Sequence, residues 1–209
     1  MAGRLLEIFS DENLIRLIKE KLPYLFQIAE KESSRAGKIG MQVGSVRENI
    51  VVALLAHKFG IDNIDTNIPI TEPEVDAIVC GEPVSVKTIT GNLTGVKLIW
   101  TVDAEKALEF FNSYYPKYDI LLVQIKWMTA GGIFYIPKEV QIQVFSDIGR
   151  EKYLKLPKQG TNPRGVEITE EALTKAVKDS RTRAIPIHWQ RRDIEFNLYE
   201  RWLKLWEEA

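Results

Sequence analysis

The stretch that decides the fold is Val75-Asp76-Ala77-Ile78-Val79-Cys80-Gly81-Glu82-Pro83-Val84-Ser85-Val86-Lys87. Two short runs rich in valine and isoleucine flank a segment that contains glycine and proline, and this pattern predicts a β-hairpin. Side chains alternate along a strand, so Asp76 and Lys87 should lie on the same face of the hairpin. Pairing Val79 with Val84 would set Asp76 directly opposite Lys87.

Two interpretations of this acid and lysine are open. The simpler one is a cross-strand ion pair, which contributes a few tenths of a kcal/mol where it is exposed. The other is a carboxylate that binds a divalent cation, beside a lysine that acts on an attacking water.

Glu48 bears on this choice. Ser45-Val46-Arg47-Glu48 fits a capping box, in which the Glu48 side chain would bond back to the Ser45 amide. The helix that follows is apolar on nearly every side, however, so it should be buried against the sheet. A carboxylate at the start of such a helix is then expected to point at the sheet edge near Asp76, where two carboxylates would suit a hard cation.

The rest of the chain predicts an α/β fold with a central mixed β-sheet flanked by helices. Apolar residues at helical spacing indicate an N-terminal helix that ends before Pro23, with Pro23 in the first turn of a second helix. Residues 168–179 are expected to be helical, and residues 120–128 form an almost continuous apolar strand. A last helix over 193–208 carries one apolar stripe, which is expected to be a core face or a dimer face and comprises Ile194, Leu198, Trp202, Leu205 and Trp206.

The overall charge excludes functions that depend on a strongly basic or acidic chain. The 209 residues carry 28 Lys and Arg against 29 Asp and Glu, a formal net charge of −1. Cys80 is the one cysteine, so neither an intramolecular disulfide nor a CxxC site is possible. No apolar run is long enough to cross a membrane and no secretory signal is evident, so we expect a cytoplasmic protein.

The charge is nevertheless unevenly distributed. Residues 150–192 hold eleven basic and five acidic residues, an excess of six positive charges. Basic residues in loops rich in Gly, Asn and Gln suit DNA phosphates and base edges, although an ordinary solvated surface would have the same composition. The candidates for contact with DNA in this region are Lys158, Gln159, Arg164, Arg181 and Arg183.

These residues resemble a known superfamily. Asp76 followed nine residues later by Ser85-Val86-Lys87 resembles the core motif of the PD-(D/E)xK nucleases, and Glu48 resembles the upstream glutamate of many restriction endonucleases. With Gly40-Met41-Gln42 and the chain length, the spacing resembles the ThaI family of type II restriction endonucleases over essentially the whole chain. Two positions depart from the pattern, since Val75 replaces the usual proline and Ser85 replaces the second acid.

The resemblance implies a PD-(D/E)xK restriction-endonuclease-like core and a Mg²⁺-dependent homodimer. Such an enzyme would cut double-stranded DNA at CGCG to leave blunt ends, and would be paired with a DNA methyltransferase of the same specificity. Glu48, Asp76 and the Val86 carbonyl would hold the metal, and Lys87 would orient or deprotonate the water.

DNA contacts are also expected around the motif, from Lys38, Met41, Gln42 and Ser85. Met41 lies in a glycine-flanked, basic loop, and apolar wedges of this kind unstack pyrimidine–purine steps such as CG. A methionine packed under its own loop is the alternative.

One endonuclease domain is expected over 1–209. It would comprise a helical part (1–60), a catalytic sheet core (68–136) and a basic, DNA-contacting part with a C-terminal helix (137–209). A structure-selective repair or junction nuclease with the same metal core, and a non-catalytic DNA-binding protein, remain as alternatives.

Overall fold

The computed structural model describes residues 3–35, 38–39, 42–69, 72, 74–157, 165–197 and 199–208. The α-helices are α1 (Glu12–Glu32), α2 (Val43–Phe59), α3 (Ala104–Ser113), α4 (Lys138–Ile148), α5 (Arg150–Tyr153), α6 (Glu170–Lys178) and α7 (Glu200–Glu207), with short 3₁₀ helices at Arg4–Phe9 and Ile61–Asn63. The strands are β1 (Ser34–Arg35), β2 (Lys38–Ile39), β3 (Ile64–Asp65), β4 (Ala77–Val79), β5 (Glu82–Thr90), β6 (Gly95–Lys97), β7 (Asp119–Ile125), β8 (Ala130–Ile136), β9 (Leu154–Lys155), β10 (Glu167–Thr169) and β11 (Arg183–His188).

A six-stranded mixed sheet forms the centre of the molecule, in the order β11-β8-β7-β5-β4-β3. Strands β5 and β7 run parallel, and the other neighbours are antiparallel. Residues 120–125 of β7 are all buried, as expected for a strand that is covered on both faces. The predicted fold class, a central mixed sheet flanked by helices, is confirmed.

Helices cover both faces of this sheet. On one face, α1 and α2 pack against residues such as Val86 and Val123. On the other face, α3, α4, α6 and a small sheet (β6-β10-β9) pack against residues such as Ile89 and Leu122. Lys87 lies between Val86 and Thr88 on β5, so alternation gives it the same face as Ile89.

The β4–β5 hairpin forms, but the predicted register is wrong by two residues. Val79 pairs with Glu82 and Ala77 with Val84, so the turn contains only Cys80 and Gly81. Both turn residues have positive φ, 52° and 84°, which is the geometry of a type I′ turn and matches the twist of the two strands. Because the shift is two residues, every side chain keeps the predicted face.

Helix α1 is one helix, and the predicted break at Pro23 is wrong. Its N-cap is Asp11, whose side chain accepts the Leu14 N–H. Pro23 lies in the helix interior and is buried with Leu22 and Phe26 on the sheet side. This apolar packing outweighs the backbone hydrogen bond that proline cannot donate.

The C-terminal segment also differs from its prediction. Residues 189–197 are not helical, because side chains of α1 bind their backbone: Gln27 bonds the Arg192 N–H and carbonyl, and Lys31 bonds the Ile194 carbonyl. Helix α7 starts only at Glu200.

The predicted apolar stripe is therefore divided. Ile194 is buried, whereas Trp202, Leu205 and Trp206 are exposed, and Leu198 lies outside the described residues. The exposed part is not a core face in this chain. Residues 168–179 contain the end of β10 followed by α6, where a single helix was expected. None of the described helices is long and apolar enough to span a bilayer.

Candidate active site

Asp76 lies immediately before β4 and faces β5. Its Oδ2 accepts hydrogen bonds from the Lys87 Nζ at 3.0 Å and the Val86 backbone N–H at 2.7 Å, and has a longer contact of 3.4 Å with the Ser85 hydroxyl. Its own N–H donates to the Val84 carbonyl. The carboxylate is thus held in one position by the strand that also carries the lysine.

Lys87 is more enclosed than its partner. Its side chain is 9% exposed, compared with 24% for Asp76. A buried ammonium must be paired, and here the pairing carboxylate is the more exposed of the two groups. The Lys87 amine therefore lies at the bottom of the site and Asp76 lies nearer to solvent.

Glu48 extends from α2 toward the same two residues. The helix begins at Val43, two residues before Ser45, so the predicted capping box does not form. Burial raises the pKa of the Glu48 carboxyl to about 7, Lys87 lowers it and Asp76 raises it. Lys87 and Asp76 are therefore both close enough to Glu48 to influence its carboxyl electrostatically.

Glu74 is an acidic residue of this region that the sequence interpretation missed. Burial raises its pKa to about 7, while Lys87 and Lys117 lower it. Glu74 also lines a cavity of about 210 Å³ together with Tyr114 and Tyr118. Glu74 precedes Asp76 by two residues, but it lies in a turn before β4, so strand alternation would not have identified it.

The donor set is suitable for a hard divalent cation. Mg²⁺ prefers carboxylate and carbonyl oxygens as ligands, and proteins usually bind it through one or two carboxylates. Within the described part of the chain, no three His, Cys, Asp or Glu side chains are grouped closely enough to form a metal cluster by themselves. Glu48 and Asp76 would therefore leave the remaining ligand positions to the main chain, substrate and water.

Of the predicted DNA-contacting residues, Ser85 contacts this site and Gln42 lies six residues before Glu48 in the sequence. Ser85 is buried with its hydroxyl toward Asp76. Gln42 is exposed at the N-cap of α2. The Lys38 side chain and residues Met41, Lys158, Gln159 and Arg164 lie outside the described residues.

Arg181 and Arg183 are not brought to this site. Arg181 makes an ion pair with Asp179 at 2.7 Å. Arg183 begins β11, three strands away from β5, which corresponds to about 14 Å across the sheet. Because Arg183 and Ile185 are two residues apart on β11, they share one face of the sheet, and this face is opposite the one that carries Lys87.

Comparison with known proteins identifies the family. The model of the family "Restriction endonuclease ThaI" matches residues 8–208. The chain belongs to the ThaI restriction endonuclease family. It is therefore a site-specific deoxyribonuclease, an enzyme class that generally uses divalent metal ions.

A solved structure is closely similar to this ThaI-family chain. It is described as a restriction endonuclease in complex with substrate DNA, and it is 51% identical with a TM-score of 0.91. The match covers 99% of this chain and 100% of that chain. A search of curated proteins gives no match.

Proposed function

We propose that this ThaI-family endonuclease hydrolyses both strands of double-stranded DNA at CGCG in a Mg²⁺-dependent reaction that leaves blunt ends. The observation that carries the proposal is the convergence of Glu48 and Asp76 on Lys87, with Asp76 held by two bonds to β5. An ion pair with only a structural role would not require a second carboxylate, which is costly to bury.

Glu48, Asp76 and the Val86 carbonyl would hold Mg²⁺ beside the scissile phosphate. When bound, the ion supplies charge stabilisation for the phosphoryl oxygens and lowers the pKa of a coordinated water. Glu48 and Asp76 would be the two carboxylate ligands of the ion, since position 85, where a third acid could stand, is occupied by Ser85.

Lys87 would act on the attacking water. Its amine is fixed by Asp76 and enclosed by the sheet, so it loses little conformational freedom when a water binds. An ammonium donates hydrogen bonds and accepts none, so Lys87 would align the oxygen of the water toward phosphorus and stabilise the charge that develops there.

We infer that the functional unit is a homodimer. Symmetric cleavage of a palindrome is achieved most simply by two sites related by a two-fold axis. Helix α7 supports this inference, because Trp202, Leu203, Leu205 and Trp206 are each more than half exposed and form an apolar surface.

We also propose that residues 1–209 form one endonuclease domain. It would comprise a helical part (1–60), a catalytic sheet core (68–136) and a basic, DNA-contacting part (137–209). DNA contacts would come from Lys38, Gln42, Ser85 and the basic residues of the third part, and Met41 would insert at the CG step. A DNA methyltransferase of the same specificity would protect the host sites.

Digestion of matched plasmids tests the function. One plasmid contains a single CGCG site, and the control differs only by a CGTG sequence at this position. With Mg²⁺ the first is expected to give one linear product with blunt ends and the control to stay uncut, and EDTA should abolish cleavage. Cleavage of both plasmids, or only of branched DNA, would contradict the proposal and favour a structure-selective nuclease.

A further inference from the structure

A buried ion pair, with the residues that bond to it, lies beside the site and has no part in the function proposed above. Glu30 of α1 is 4% exposed and Arg47 of α2 is 5% exposed, and their side chains form an ion pair. Glu30 also accepts a hydrogen bond from the Trp127 indole at 2.8 Å and one from Arg191 at 2.6 Å. Arg47 donates in turn to the Thr90 hydroxyl at 2.9 Å. We call these five residues the Glu30 cluster.

The Glu30 cluster is not a favourable way to gain stability alone. Both charges lose their hydration on burial, and a well-packed apolar pair of similar volume is often as stable or more stable. The Nε of Arg47 is buried without a hydrogen-bond partner, which adds a further cost. What such a pair does supply is a defined geometry, since a guanidinium donates in fixed directions.

That geometry joins the two elements that carry the catalytic residues. Arg47 immediately precedes Glu48 on α2, and Thr90 follows Lys87 by three residues on β5. One guanidinium therefore connects the first turns of α2 to the carboxyl-terminal end of β5. Through Glu30 the same guanidinium is also connected to α1.

A second ion pair joins the same two helices far from the site. Lys58, in the last turn of α2, binds Asp11 at the N-cap of α1 at 2.7 Å. This Lys58–Asp11 pair also links α1 to α2. Lys58 is ten residues from Glu48, however, which corresponds to about 15 Å along the helix. The chain thus contains its own control for a purely structural role.

We propose that Arg47 is a positioning residue that sets the distance between the Glu48 carboxylate and the Asp76–Lys87 pair through its simultaneous bonds to Glu30 and Thr90. This inference rests on the proposed function, because it assumes that Glu48 helps to hold the metal. Arg47 would act through geometry rather than charge, since its guanidinium is already paired with Glu30 and bonded to Thr90.

Three variants test the proposal in the full-length protein. Arg47→Lys keeps the positive charge but loses the planar fork whose two terminal nitrogens bind Glu30 and Thr90 separately, and Thr90→Val removes only the bond to β5. Lys58→Met removes the distant ion pair. For each we would measure kcat, KM for the CGCG plasmid, the Mg²⁺ concentration at half-maximal rate, and Tm.

Arg47→Lys is expected to lower kcat by about ten- to a hundredfold and to raise the Mg²⁺ requirement by a similar factor, with KM for DNA changed less than about threefold. Thr90→Val should change the same two quantities in the same direction by about three- to tenfold. Lys58→Met should lower Tm and leave kcat and the Mg²⁺ requirement at wild-type values.

A wild-type kcat and Mg²⁺ requirement in Arg47→Lys and Thr90→Val would overturn the proposal, and so would an equal loss of activity in Lys58→Met. If Arg47→Lys does not fold, Thr90→Val decides alone, because Thr90 is exposed and loses a single hydrogen bond. Failure of the proposed function has a different signature, namely wild-type protein that does not cut CGCG DNA at all.

Discussion

The Lys87 amine and the Asp76 carboxylate meet at 3.0 Å across the β4–β5 hairpin although the two residues are not directly opposite each other. Ala77 pairs with Val84, so Asp76 and Lys87 are diagonal neighbours. Such neighbours lie about 7–8 Å apart at Cα, a distance that a lysine side chain spans. The long side chain of Lys87 thus reaches back along the face it shares with Asp76, and both groups act electrostatically on Glu48.

The first prediction concerns this pair. Asp76→Ala and Lys87→Ala should each reduce the cleavage rate at CGCG by at least about a thousandfold, because the first removes a proposed metal ligand and the second removes the group proposed to align the attacking water. Binding of a CGCG duplex, measured in Ca²⁺ by gel shift, should persist in both. Lys97→Ala is the control, since it removes the cross-strand Lys97–Glu167 contact of the small sheet. Turnover by either active-site variant close to that of this control would refute the assignment.

The second prediction is a pH dependence of stability. The pKa of Glu48 rises from its ordinary value of 4.5 to about 7 on folding. Between these values the folded protein keeps a proton that the unfolded chain has released, so the free energy of unfolding falls as the pH rises through this window. Glu48→Gln removes this loss and should stabilise the metal-free protein by about 1–3 kcal/mol near pH 8, but very little near pH 5.

Urea denaturation at the two pH values, in EDTA, measures this difference. Glu109→Gln, in an exposed position of α3, serves as the matched control for the Glu-to-Gln replacement itself. A Glu48→Gln effect of the same size at both pH values would show that the carboxylate is not the titrating group.

The third prediction tests the turn that sets the hairpin register. Gly81 has a φ of 84°, and a Cβ added there would meet no atom within 4 Å, so Gly81→Ala isolates the cost of the backbone conformation. We expect a loss of about 1–2 kcal/mol in the free energy of unfolding. Gly44→Ala in α2, which also has open space, should instead stabilise by about 0.5–1 kcal/mol because its backbone is helical. Equal effects of the two substitutions in chemical denaturation would contradict this explanation.

The fourth prediction concerns the exposed face of α7. Trp206 is 84% exposed, and if this face joins two copies of the chain, Trp206→Ser should raise the dimer dissociation constant by at least about tenfold. Trp100→Ser is the control, because Trp100 is also exposed but is stacked on Lys97 outside α7. Sedimentation velocity at several concentrations distinguishes the two variants. A dissociation constant that is unchanged in Trp206→Ser would place the interface elsewhere.

Features that depend on residues close together in the chain could be predicted from the sequence alone. Alternation along β4 and β5 predicted that Asp76 and Lys87 share a face, and this held even though the register was wrong, because a shift of two residues preserves the face. The mixed α/β class and the buried β7 also followed from local patterns, and the order and spacing of the motifs resembled the ThaI family to which the chain belongs. These features depend on strand periodicity and on residues that lie close together in the sequence.

Only the tertiary structure decided how distant segments meet. A cysteine in the left-handed region at Cys80 is uncommon, so the two-residue turn had no clear signal in the sequence. The approach of Glu48 to Lys87, and the buried contact of Glu30 with Arg47, depend on how α1 and α2 pack on the sheet. That packing balances apolar burial against the cost of enclosing charges over the whole molecule, and no local pattern contains this balance.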